Sequence, residues 1–87
     1  PDMDKLIANP DSAVLPDDPA VLYAVSSALA FKMSKANAGN VIRYLKRLPQ
    51  QEFAAFVIKD ALARDRDLKN VEAVRQWILS DGKHLIL

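Results

Sequence analysis

The sequence predicts an all-α fold, a small bundle of about four to five helices joined in one place by an extended Pro/Asp-rich connector. Three observations carry this. Apolar residues recur at three- and four-residue steps in successive segments. Capping residues and prolines punctuate those segments. The 87 residues are 51% hydrophobic and 26% charged, an ordinary globular mixture that excludes a disordered tail or a collagen-like repeat. A chain of this length is enough for one core and short for two. We therefore read residues 1–87 as a single helical domain: a short helix and connector over 1–19, a core over 20–81 and an apolar tail over 82–87.

The first segment, PDMDKLIANP, offers Asp2 as N-cap and Met3, Leu6 and Ile7 at helical spacing, and Pro10 stops it. Residues 10–19, PDSAVLPDDP, hold three prolines and three aspartates, which disfavour helix and ladder alike. Val14 and Leu15 are expected to anchor this connector to the core. Asp18 then caps a helix with Pro19 at its first position. Leu22, Val25, Leu29 and Met33, with Ala28, form its apolar face, and its expected end is near Lys35.

In KANAGN, Asn37 or Gly39 is expected to take the left-handed conformation that closes a helix, and Asn37 or Asn40 to cap the next. That third helix runs through VIRYLKRL, with Val41, Ile42, Tyr44, Leu45 and Leu48 inward and Arg43, Lys46 and Arg47 outward. Leu48-Pro49 marks a tight corner, with Pro49 suited to the first turn of a fourth helix. There Phe53, Phe56, Val57 and either Ala61 or Leu62 recur at helical steps, and Glu52 sits in the first turn. After a polar stretch, Asn70 is expected to cap a last helix, Val71 to Asp81, with Val74, Trp77 and Ile78 inward and Gly82 ending it. The tail KHLIL carries no assignment.

The formal net charge of +1 conceals a lopsided distribution. Residues 1–19 hold five acids against Lys5, whereas residues 20–48 hold Lys32, Lys35, Arg43, Lys46 and Arg47 and no acid. This block is the candidate contact surface for an acidic protein face or for phosphates. With it we group His84 and Leu85, since the tail from Lys83 to Leu87 is apolar without evident need.

Catalytic signatures are missing from the sequence. Gly39 and Gly82 are the only glycines, and neither lies in a phosphate-cradling loop. Cysteine is absent, His84 is the single histidine, and Asp11, Asp17 and Asp18 lack the spacing of a calcium loop. Ser12, Ser26, Ser27, Ser34 and Ser80 sit in no nucleophile motif. Ser26 and Ser27 read better as small residues that let helices approach. Trp77, Phe53 and Phe56 read as core. No cofactor and no metal is assigned to these residues. The lack of cysteine and of a basic leader fits a cytoplasmic protein, and no apolar run nears the roughly 20 residues of a membrane span.

The runs PDMDKLIANPDSAVLPDDPAVLYAVSSALA, VIRYLKRLPQQEFAAFVIKDALARD and VRQWILSDG together resemble the C-terminal helical region of bacterial MoxR-like AAA+ ATPases. The resemblance covers nearly the whole chain. It implies a parent that binds ATP and Mg and hydrolyses ATP in a ring to remodel partner proteins, often with a von Willebrand factor A-type partner. None of the parent's Walker, sensor or arginine-finger residues is present in these 87 residues, so no catalytic residue carries over. Pro1 without a preceding methionine suits a fragment of a longer polypeptide, and methionine removal before proline gives the same start. The expected role is thus an accessory or interaction module with a protein partner or neighbouring subunit. The alternative is an independent helical adaptor or nucleic-acid binder that uses the basic face.

Overall fold

A computed structural model describes residues 2–82. It is all-helical: α1 Met3–Ala8, α2 Pro19–Phe31, α3 Ala38–Leu45, α4 Gln51–Arg64 and α5 Glu72–Asp81, with a 3-10 helix Arg66–Asn70 before α5. The described residues contain no strand.

Local chemistry explains most boundaries. Asp2 accepts hydrogen bonds from the amides of Asp4 and Lys5, and Asp18 accepts one from the amide of Ala20, so both helix starts are capped as expected. The end of α2 comes four residues before Lys35 because the Asn37 side group holds a turn there. Its Oδ1 accepts from the Ser34 amide at 2.8 Å and its Nδ2 donates to the Lys32 carbonyl at 3.0 Å. Among the described residues none takes a positive φ, so neither Asn37 nor Gly39 closes the helix in a left-handed conformation. Gly39 lies inside α3, where a Cβ would stand 3.7 Å from that of Ala73 on α5. Met33 is buried, although it lies beyond the helix.

The α3–α4 corner is built differently from the expectation. Pro49 precedes the helix rather than opening it, and Gln50 is the N-cap. Gln51 reaches back, its Nε2 donating to the carbonyls of Leu45, Lys46 and Leu48 at 3.3, 3.2 and 2.7 Å. The Leu45 carbonyl also accepts the Leu48 amide, and the Gln51 side-chain amide adds a donor to it and to the Lys46 and Leu48 carbonyls, closing the C-terminal end of α3. Asn70 caps nothing: it ends the 3-10 helix, which Asp65 caps through the Asp67 amide. Helix α5 begins at Glu72 after Val71, whose apolar side group offers no hydrogen bond to the first turn.

Contacts at both ends of each pair give the layout. Tyr23 stacks on Phe53 near the starts of α2 and α4, with ring centroids 4.9 Å apart, and Arg64 lies 4.7 Å over the Phe31 ring near their ends. The two helices therefore run side by side in one direction. Gly39 meets Ala73, and Lys46 meets Asp81 at 3.6 Å, so α3 and α5 are likewise parallel. The core lies between these pairs, with Trp77, Tyr44, Leu29, Leu45, Ile58, Leu68, Val41 and Val74 its largest fully buried side chains. The inward residues of α3, with Leu48, are all buried, as are Val74 and Trp77, while Ile78 is half-buried.

Two assignments of inward residues are corrected. Val14 is 90% exposed; Leu15 does pack against the core as expected, and buried Pro10 and half-buried Ala13 anchor the connector with it. Phe56 is 61% exposed, because α4 turns its small side chains Ala54, Ala55 and Ala61, with Val57 and Ile58, into the core. Alanines let a neighbouring helix approach closely, and a phenylalanine on the same stripe would hold it off.

Candidate functional site

The basic block divides in two. Arg43, Lys46 and Arg47 do lie on the outer side of α3, yet each is engaged within the molecule. The Arg43 guanidinium pairs with the Asp11 carboxylate, Arg47 Nη1 donates to the Pro10 carbonyl at 2.7 Å, and Lys46 pairs with Asp81 on α5. Asn40 adds a bond from Nδ2 to the Ile7 carbonyl at 2.9 Å. Asn40, Arg43 and Arg47 fasten α1 and the connector along α3, and Lys46 ties the end of α3 to α5, so the patch serves first as internal stitching. Arg47 is half-buried for this reason, and its guanidinium also lies 5.9 Å from the Tyr44 ring centroid.

Lys32 and Lys35 sit elsewhere, at the far end of α3 from Lys46, separated by about 12 Å of helix rise. Both are exposed. His84 and Leu85 lie outside the described residues.

The surface feature that the periodicity did not reveal is α2. Its thirteen residues, PAVLYAVSSALAF, contain no charged group. Val25, Ser26, Leu29 and Ala30 are buried, whereas Ala20, Val21, Tyr23 and Ala24 are exposed, as is Phe31 at 72%. On one side of this face, Met3 of α1 closes a shallow trough along Ala20, Val21, Ala24, Val25 and Ala28. On the other, the Tyr23–Phe53 stack borders an open groove of about 530 Å³ between the connector and the α3–α4 corner. Leu15, Leu22, Leu48, Pro16, Pro19 and Pro49 give it rigid apolar walls, and Asp17 supplies a carboxylate. The signal in the sequence is the absence of Asp, Glu, Lys and Arg between Asp18 and Lys32.

Two hydroxyls, Ser26 Oγ and Tyr44 Oη, are buried with no hydrogen-bond partner among the described residues. Burial raises the Tyr44 phenol above its usual 10.0, and the nearby Arg47 charge partly opposes this. Ser26 faces the core from mid-helix, in keeping with a packing role, and Ser27 is half-buried beside it. Among the described residues no group of three or more His, Cys, Asp or Glu side chains is placed to hold a metal, and no helix is long and apolar enough to cross a membrane.

Comparison of the sequence and fold with known protein families, with curated proteins and with solved structures yields no match.

Proposed function

We propose that this protein is a contact module: the C-terminal accessory helical region of a MoxR-type AAA+ ATPase, engaged in subunit packing or partner docking. The observation that carries the contact role is α2, an uncharged helix with one side in the core and the other on the surface. Helices apolar all round are ordinarily covered on every side, so the exposed arc is a surface built to be covered. The ATPase parent is supported by the resemblance of the three sequence runs quoted above. ATP and Mg belong to that parent and to none of these side chains.

The nucleic-acid reading is disfavoured by the same geometry. Three of its five cations, Arg43, Lys46 and Arg47, are already bound to Asp11, Asp81 and the Pro10 carbonyl. Lys32 and Lys35 alone make a small electrostatic footprint.

An antibody raised against these 87 residues, used on a denatured extract of the source cell, tests the parent. A band several times larger than 9.6 kDa supports it, and a band at 9.6 kDa overturns it. Deleting the segment from such a parent tests the role. Loss of ring assembly or partner binding is expected, and unchanged assembly, ATPase rate and partner binding refute it.

A further inference from the structure

The charges that flank α2 suggest what covers it. Asp17 and Asp18 stand immediately before the helix, and Lys32 and Lys35 follow it. Asp18 accepts the Ala20 amide, while Asp17, Lys32 and Lys35 have no ion-pair partner among the described residues. Between the two ends lie about 20 Å of uncharged helix, with Ala20, Val21, Tyr23, Ala24 and Phe31 exposed. An acidic partner lying along this face is repelled at Asp17 and Asp18, and a basic one at Lys32 and Lys35. A complementary partner carries the same pattern reversed.

We propose that the exposed face of α2 binds a second copy of this protein, α2 against α2, antiparallel about a two-fold axis near the middle of the helix. A two-fold contact is made by one patch with itself, so the patch must be self-complementary, and this one is. The rotation sets Asp17 and Asp18 of each copy against Lys32 and Lys35 of the other, and it opposes the two helix dipoles favourably. A parallel arrangement sets like charges together at both ends. Ala20, Ala24 and Ala28 recur at four-residue steps along the shallow trough beside Met3, and their small side chains allow the axes to approach. Tyr23 and Phe31 then lose exposed apolar surface against the partner copy. A molecule of 30 × 25 × 21 Å offers a face near or below the roughly 800 Å² per partner of a standard interface, so the dimer is a weak one. The inference names an occupant for the contact surface proposed above. It rests on that reading of α2, but not on the ATPase parent.

Sedimentation equilibrium of the 87-residue protein, up to roughly millimolar concentration, tests it. A monomer–dimer equilibrium that weakens with added salt is expected. Two exposed charge variants then probe the orientation: K32E/K35E, and D17K/D18N, in which asparagine keeps the N-cap. Each alone is expected to dimerise at least about tenfold more weakly than the unsubstituted sequence, and an equimolar mixture is expected to recover association as a heterodimer. Far-UV circular dichroism verifies that both variants fold; should either fail, Phe31→Ser, which lies outside the core, is expected to weaken the dimer by a similar factor. A protein that stays monomeric throughout, or a dimer indifferent to both charge variants, or a mixture no tighter than its components, overturns the proposal. If the protein is monomeric while deletion of the segment still abolishes partner binding in a parent, the dimer alone is wrong and the contact role stands.

Discussion

At the scale of single residues, the two buried hydroxyls and the large apolar side chains pull in opposite directions. A hydroxyl removed from water without a partner costs about 1–3 kcal/mol, so Ser26→Ala is expected to stabilise the fold by about 1 kcal/mol, read from the urea midpoint. A lowered midpoint would mean that the hydroxyl has a partner in solution. Leu29→Ala removes a side group that is 0% exposed and is expected to cost about 2–5 kcal/mol in the same assay. Tyr44 adds a pH dependence whose sign follows from its raised pKa. Above pH 10.0 the unfolded phenol ionises while the buried one resists, so stability is retained below that pH and lost as pH rises toward the folded value. Tyr44→Phe is expected to flatten this alkaline loss, and an unchanged alkaline limb would show that another group governs it.

The helices are tied by a few long-range polar contacts, and these set which elements open first. α1 has no buried residue and is held by half-buried Met3, Leu6 and Ile7 together with the Asn40, Arg43 and Arg47 contacts. The Arg43–Asp11 pair is well exposed and contributes roughly 0–1 kcal/mol, whereas the partly buried bond from Arg47 to the Pro10 carbonyl contributes about 1 kcal/mol or more. Arg47→Ala is therefore expected to speed amide exchange in α1 without changing α4. Equal exchange in both helices would remove the stitching role. At the α3–α5 contact, Gly39 has ordinary helical geometry, and a Cβ would meet Ala73 at a normal contact distance. Gly39→Ala is expected to raise stability by about 0.5–1 kcal/mol through a less flexible unfolded state and better helix propensity. A drop in melting temperature would show that α3 and α5 lie closer than this.

Across the whole molecule, the two parallel pairs share one core, so the protein is expected to unfold as a unit. Trp77, the single tryptophan, is 2% exposed and reports on the contact of α5 with that core. Its emission and the far-UV circular dichroism signal are expected to change with coincident urea midpoints; separated midpoints would mean that a pair melts independently.

Much of the helical layout was legible in the sequence. Asp2 and Asp18 are caps with their own local partners, Pro10 and the proline-rich connector exclude helix, and the apolar spacing of α3 specifies its buried side, all through interactions within a few residues. The same local reading failed where the deciding partner is distant in sequence. Phe56 fits the helical period of α4 as well as Ala54 or Ala55, and only the packing of α4 in the folded molecule selects the small side chains for the core. Val14 is as apolar as Leu15, but Pro10 and its hold on Arg47 determine which part of the connector is pressed down. The basic residues of α3 show their charge in the sequence; that Arg43, Lys46 and Arg47 are engaged depends on Asp11, Asp81 and Pro10, each more than thirty positions away. The sequence by itself thus determined where helices begin and break, because capping and periodicity act over one or two turns. Tertiary structure alone decided which faces are covered and which charges remain available, because burial and ion pairing depend on neighbours that the fold, and not the spacing, brings together.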